Sequence, residues 1–289
     1  MNFRPTLISV WGSDVYDFPF KSPLHKWGLI RNLMSADLVA STSRCMATQT
    51  TMLSAGLSDV AITPFGVNCE IFSPLREQSS IRESADLPRP IVIGTVKTLA
   101  HKYGIDVLIK AFSLAKLACA KADPAMVRGL TLRIVGGGED EAALKVLVQN
   151  LEIDDAVTFV GNIPHSRVPD ELRQMDIFVA LSRLDSESFG VAAIEAGAVG
   201  LPVVVSDAGG LPEVVLQGKT GLVVPKDDPQ AACDALIQLV FNPELRHQLG
   251  TAGRERVLAN YSWDASLKTM VSVYERLIAT HKTKMQIEK

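Results

Sequence analysis

From residue 88 onward, short and almost continuously apolar runs recur along the chain, and no other feature restricts its fold as tightly. They are Ile91–Gly94, Leu132–Val135, Val157–Val160, Ile177–Ala180, Val203–Val205 and Gly221–Val224. A strand with one wet face alternates apolar and polar residues. An unbroken apolar run means cover on both faces, as in parallel sheets flanked by helices. Between the runs lie Asp106–Lys121, Glu139–Leu151, Arg167–Gln174, Phe189–Ala198 and Leu211–Gln217, each a candidate crossover helix. Six strands joined by five crossovers predict a doubly wound α/β lobe.

The last eighty residues turn helical. Asp228-Pro229 and Asn242-Pro243 each place a side-chain acceptor at an N-cap and Pro at the first helical position. Ser262 is placed to cap a final helix running through Leu267, Val271, Tyr274 and Leu277. At the other end, Thr6–Val10, Asp37–Ser41 and Val60–Thr63 read as strands, with helices near Leu24–Met34 and Arg44–Ala55. A second doubly wound lobe needs roughly 150 residues, at about 30 per βαβ unit, and only about half of that precedes the linker-like stretch 73–89. The predicted organisation is a partial α/β lobe over 1–76, a complete lobe over 77–261, and a terminal helix over 262–289 packing back toward the first lobe.

Composition removes several classes of function. The 29 Lys and Arg against 32 Asp and Glu leave a net charge of −3, without the basic balance of a nucleic-acid binder. No apolar run reaches the roughly 18–20 residues of a membrane-spanning helix, and the start at Met1 lacks the pattern of a signal peptide. Cys45, Cys69, Cys119 and Cys233 show no CxxC spacing, so free thiols in a reducing cytoplasm are expected.

The most informative stretch is Asp185-Ser186-Glu187-Ser188-Phe189-Gly190-Val191-Ala192-Ala193-Ile194-Glu195-Ala196-Gly197. It follows a predicted strand and opens a predicted helix. The first amides of such a helix are unpaired and favour anions, phosphate above all. Glu187 and Glu195, eight positions apart, would on one helix stand about 12 Å apart along its axis and about 80° apart around it. That is too far for an acid/base pair on one bond, but it suits a long ligand gripped at two points with its phosphates between. A nucleotide sugar has this layout. A solvated Glu187 capping the helix and a structurally hydrogen-bonded Glu195 fit the spacing equally well.

The frame ESFGVAAIEAGAVGLPVV resembles the E-x7-E signature of the retaining glycosyltransferases of family 4, which have the GT-B fold. Val135-Gly136-Gly137-Gly138-Glu139 resembles the family's glycine turn, and Val157–Pro164 its base-binding loop. Gly209–Glu213 and Gly218–Gly221 match the segments that follow. Upstream, Trp11–Asp14, Ala36–Val39 and Pro64–Asn68 are similar to the second half of the family's N-terminal lobe. The resemblance implies a GT-B-like protein lacking about three βα units at its start. It would bind a UDP- or GDP-type nucleotide sugar and need no further cofactor. It would move the sugar with retention to a glycan, lipid-linked or small-molecule acceptor, as in cell-envelope polysaccharide or glycoconjugate synthesis. The expected location is cytoplasmic, with peripheral contact to the inner membrane face, and transfer by the short chain alone is expected to be very slow or absent.

The resemblance also implies roles. Glu195 would hold the ribose hydroxyls and Glu187 the donor sugar. The amides of Phe189, Gly190 and Val191 would lie near sugar and phosphate, with Gly136 and Gly138 in the glycine turn beside them. Asn162, Ile163 and Pro164 would lie against the base. The family's basic pair on the diphosphate falls to Lys97 and Lys102, because the usual Arg position is Thr95. Positive charge there would stabilise the departing diphosphate. No Asp-x-Asp motif occurs, so metal independence is expected. Trp11 stands where many members carry His, and reads either as an aromatic platform against sugar or as core at a strand end. Of the five histidines only His101 is a site candidate; His25, His165, His247 and His281 read as surface.

Two nucleotide-binding look-alikes fail on geometry. Gly136-Gly137-Gly138 lacks the third glycine of GxGxxG, where Glu141 stands, and a strand is expected after Gly218-Lys219-Thr220, where a P-loop needs a helix. Two rival readings remain: a nucleotide-sugar-binding protein without transfer activity, and a sugar-nucleotide epimerase or hydrolase on the same fold.

Overall fold

A computed structural model describes residues 4–57, 59–74, 90–122 and 129–287. Most of the expected linker 73–89 lies outside the described residues. The first sheet is parallel, in the order β1 (Leu7–Val10), β2 (Leu38–Ser41), β3 (Val60–Ile62). Its crossovers are α1 (Ser13–Tyr16) with α2 (Pro23–Ser35), and α3 (Arg44–Leu53). Ser22 and Ser43 cap α2 and α3 by accepting from the amides of His25 and Met46.

The second sheet has six parallel strands: β4 (Ile91–Val96), β5 (Leu130–Val135), β6 (Val157–Gly161), β7 (Ile177–Ala180), β8 (Val203–Ser206) and β9 (Gly221–Val224). Their spatial order is β6-β5-β4-β7-β8-β9. This is the doubly wound order, with the winding reversing between β4 and β7. One face is covered by α4 (Ile105–Ala122), α5 (Glu141–Asn150) and α9 (Pro229–Val240), through Phe112, Leu144 and Leu236 among others. The opposite face is covered by α6 (Val168–Leu172), α7 (Val191–Val199), α8 (Leu211–Val214) and α10 (Pro243–Asn260), through Leu172, Ile194, Leu211 and Val257. Cover on both faces is why these strands are uninterrupted apolar runs.

The helix starts read from sequence are present. Asp228 accepts from the amides of Gln230 and Ala231, and Asn242 from that of Leu245. Ser262 accepts from Ala265 at the head of α11 (Trp263–Ile287). That helix returns to the first sheet, where Val273 packs with Ala40 and Ala61. Ser266 donates to the Pro64 carbonyl at 2.6 Å.

Three further contacts join the two sheets' surroundings. The Glu213 carboxylate, from α8, accepts the Arg44 and Cys45 amides at 2.9 and 2.7 Å, at the start of α3. A carboxylate there satisfies unpaired amides and opposes the positive end of the helix dipole. The Ser188 hydroxyl donates to the Trp11 carbonyl at 3.0 Å. Trp11, Phe65, Phe189 and Tyr261 form a chain of edge-to-face pairs, each with ring centroids 5.6 Å apart. Replacing Glu213 by Ala should cost about 1–2 kcal/mol, the worth of a helix cap. It should also speed amide exchange at Arg44 and Cys45 in α3 while leaving β4–β9 protected; unchanged exchange at those two amides would show that Glu213 does not hold the helix.

Candidate functional site: a cleft at the C-terminal ends of the parallel strands

Ligands bind doubly wound sheets outside the carboxyl ends of the strands, where the winding reverses. Here the loops after β4, β5, β6 and β7 converge at that place. Thr95, the position of the family's Arg, is inside β4 and buried, so the loop begins at Lys97. The Lys97 ammonium lies 2.5 Å from Glu187 Oε2, with both side chains mostly buried. The Ser182 hydroxyl donates to the same oxygen at 2.9 Å. Lys97 and Lys102 flank one ring: their ammonium groups stand 4.5 and 4.9 Å from the Tyr103 centroid. The structure thus brings together the two lysines and the first glutamate.

Arg183 braces this loop, a role the sequence reading did not assign. Its guanidinium donates to the His101 carbonyl at 2.9 Å and to both Asp106 oxygens at 2.7 Å, and it also pairs with Asp227. Its amide donates to the Lys102 carbonyl. Burial pushes the Asp106 carboxyl up, but hydrogen bonds from Arg183 and Lys110 outweigh it and leave it at about 2. His101, the expected site candidate, contributes its carbonyl to this brace.

The glycine turn lets two loops meet. A Cβ on Gly136 would lie 2.0 Å from the Lys97 carbonyl oxygen, and one on Gly138 2.2 Å from that of Leu99. Gly136 also has φ +132°, where side chains are disfavoured. These glycines therefore seat the Lys97 loop. Beyond them, Asn162 and Pro164 are exposed and Ile163 half-buried on the loop after β6.

The helix of the E-x7-E stretch starts at Val191, two residues later than expected, with Gly190 at its cap in the left-handed region. Glu187 therefore lies in the preceding loop and only Glu195 is helical, so spacing computed on one helix does not apply. Ala193 is the first residue of this turn whose amide reaches a helix carbonyl, that of Gly190, at 3.0 Å. The amides of Gly190 and Val191 precede it and suit an anion. The Phe189 side chain is buried in the aromatic chain.

Glu195 is 6% exposed, and burial pushes its carboxyl up against the opposing effect of His165 and Lys97. His165 Nε2 lies 2.7 Å from Glu195 Oε1. His165 is exposed, as read from the sequence, but it also adds a contact to the site. No ligand spacing in the sequence announced it, because the two meet only through the loop after β6. Trp11 is 63% exposed, so it is not core at a strand end. With Ser9, Gly12, Ser13 and Asp14 it lines an open concavity of about 480 Å3. Among the described residues, no three of His, Cys, Asp and Glu stand close enough to hold a metal ion, and no helix is long and apolar enough to cross a membrane.

Known proteins share this fold. Residues 77–256 match the family described as Glycosyl transferases group 1, and residues 1–43 match Glycosyl transferase 4-like. The chain belongs to the group 1 glycosyl transferases, and its fold is GT-B. It is 32% identical over 248 residues to the GDP-mannose-dependent alpha-(1-6)-phosphatidylinositol monomannoside mannosyltransferase of Mycolicibacterium smegmatis, covering 83% of this chain and 63% of that protein. To the D-inositol 3-phosphate glycosyltransferase of Corynebacterium jeikeium it is 33% identical over 226 residues, covering 75% of this chain and 52% of that one. Sucrose-phosphate synthase from Thermosynechococcus elongatus superposes with a TM-score of 0.78 at 28% identity, over 97% of this chain and 69% of that chain. Anabaena HepE, solved with UDP and glucose, shares the fold at 18% identity and a TM-score of 0.75, over 95% of this chain and 71% of its own. The chain spans about half to two thirds of the length of the curated relatives.

Replacing Lys97 by Met strands the Glu187 carboxylate and should cost about 3 kcal/mol in denaturant unfolding. The Lys97→Met/Glu187→Gln double variant should then be more stable than the sum of the single losses, by at least about 1 kcal/mol. Losses that simply add would mean the two side chains do not act as a pair.

Proposed function

We propose that this chain carries the donor side of a glycosyltransferase that moves a sugar from a nucleotide-diphosphate sugar to an acceptor hydroxyl. The observation that carries the reading is the convergence of Lys97, Glu187, the start of α7 and buried Glu195 on one cleft. These groups match the donor in sequence: a carboxylate for the hexose, cations and helix amides for the diphosphate, a second carboxylate for the ribose diol. Asn162, Ile163 and Pro164 supply the wall for a uracil or guanine base. Residues 77–261 act as the donor lobe and residues 1–76 as the acceptor side, with the helix of 262–289 tying the two.

In the reaction, the bond from the anomeric carbon to the departing phosphate oxygen breaks and one to the acceptor oxygen forms on the same face, which retains configuration. The bonding pair leaves with the diphosphate, which also takes the acceptor's proton. Lys97, Lys102 and the amides at Gly190 and Val191 offset the growing negative charge without a metal ion. Acceptors of the glycan, lipid-linked or small-molecule kind would enter beside Trp11. The cytoplasm is the proposed location. For a lipid-linked acceptor, α2 offers a face for peripheral membrane contact: Leu24 and Trp27 are exposed beside Lys21, Lys26 and Arg31, with no carboxylate between Asp17 and Asp37.

Titration calorimetry with UDP, GDP and their sugar conjugates tests the assignment. Glu195→Ala should weaken the free nucleoside diphosphate, and Glu187→Ala mainly the intact nucleotide sugar, each by about 1.5–3 kcal/mol. Variants that bind both ligands like the parent would refute it. EDTA should leave binding unchanged, and raised salt should weaken it. Conversion of the nucleotide sugar with no acceptor present would favour the epimerase or hydrolase reading instead.

A further inference from the structure

The carboxylate assigned to the ribose already has a partner within the chain. Glu195 Oε1 lies 2.7 Å from His165 Nε2. A carboxylate oxygen only accepts, so the imidazole donates. The two ends of this contact differ sharply: Glu195 is 6% exposed, whereas the His165 side chain is 73% exposed. His165 sits in a single 3-10 turn, His165–Arg167, on the loop after β6. Among the described residues, the one ring paired with it is that of Phe72, 5.5 Å between centroids and tilted by 45°. Little packing therefore holds the imidazole in place, and water can replace its hydrogen bond when it swings away.

A ribose diol recognises a buried carboxylate through hydroxyl donors, and an imidazole N–H presents the same kind of donor. We infer that His165 is a specificity-determining residue of the donor site, a self-ligand whose imidazole occupies on Glu195 the place of a ribose hydroxyl until the nucleotide displaces it. This rests on the reading of Glu195 as the ribose carboxylate. The exchange is donor for donor, so the buried carboxylate is never left unpaired, a state that is costly. It also sets a cost that falls on some ligands only. A ligand with the diol must expel the imidazole before it gains Glu195. One without ribose hydroxyls can leave the pair intact. His165 thus narrows the preference for ribonucleotides that Glu195 alone would give. A competing state filled about 70–90% of the time lowers apparent affinity roughly three- to tenfold.

The test compares the parent with His165→Ala by calorimetry, using UDP and GDP and their 2′,3′-dideoxy counterparts. Water takes the place of the exposed imidazole on Glu195 in the variant, and thermal unfolding checks that the fold stays intact. The expected result is three- to tenfold tighter binding of the ribonucleotide that the parent binds better, with its dideoxy form unchanged, so that the ratio between them widens. A merely structural histidine would move both ligands alike. His165→Ala binding the ribonucleotide no more tightly than the parent, or moving both forms together, overturns the self-ligand role while leaving the donor site standing. A parent chain that binds none of the four nucleotides overturns the underlying reading, and this inference with it.

Discussion

Parallel strands cannot be joined by tight turns, so each of the six strands of the larger sheet needs a crossover that returns over one face. With β4 and β7 adjacent at the centre, the crossovers must go to opposite faces on the two sides of that pair. The loops leaving their carboxyl ends therefore diverge and open a crevice. Everything placed in the cleft follows from that constraint. Lys97 leaves β4, Gly136 and Gly138 leave β5, Asn162–Pro164 leave β6, and Glu187 leaves β7. These groups come from four separate loops, yet all sit at the same edge.

The cleft is held by tight backbone contacts and by few, mostly buried charges. The carbonyls of Lys97 and Leu99 fill the space that side chains on Gly136 and Gly138 would need. Arg183 binds the turn carrying Lys102 to the loop that carries Glu187. From the other side, Ser188 and Phe189 reach Trp11 and Phe65, so the segment between the two glutamates also meets the smaller sheet. Glu213 repeats the pattern by capping α3 across the same seam. The loops of the larger sheet and those of the smaller sheet are thus registered against each other through the one stretch that carries the signature.

Much of this was legible in the chain. The apolar runs located all six strands of the larger sheet, because burial on both faces leaves no alternation to misread. The Asp-Pro and Asn-Pro pairs located α9 and α10, since cap and first-turn chemistry is local. The E-x7-E frame and the lysines were legible through resemblance. Less legible was anything made by side chains meeting across loops. The helix after Glu187 starts at Val191, because Gly190 takes a left-handed conformation that ends the loop there. His165 read as surface because the histidines show no ligand spacing; only the fold brings its ring to Glu195. Arg183 showed no motif, and its partners Asp106 and Asp227 lie 77 and 44 positions away. Trp11 allowed two readings until its exposure excluded the core.

In the proposed donor site, a nucleotide sugar lies along this cleft from Glu187 to Glu195. A crystal structure of the chain soaked with the nucleotide sugar it binds best tests it most directly. The account predicts the hexose beside Glu187, the diphosphate between Lys97, Lys102 and the amides of Gly190 and Val191, and the ribose hydroxyls on Glu195. It also predicts the base against Asn162–Pro164 and the His165 ring turned away. Density for the ligand outside this cleft, or in it with the ribose away from Glu195, would contradict the account.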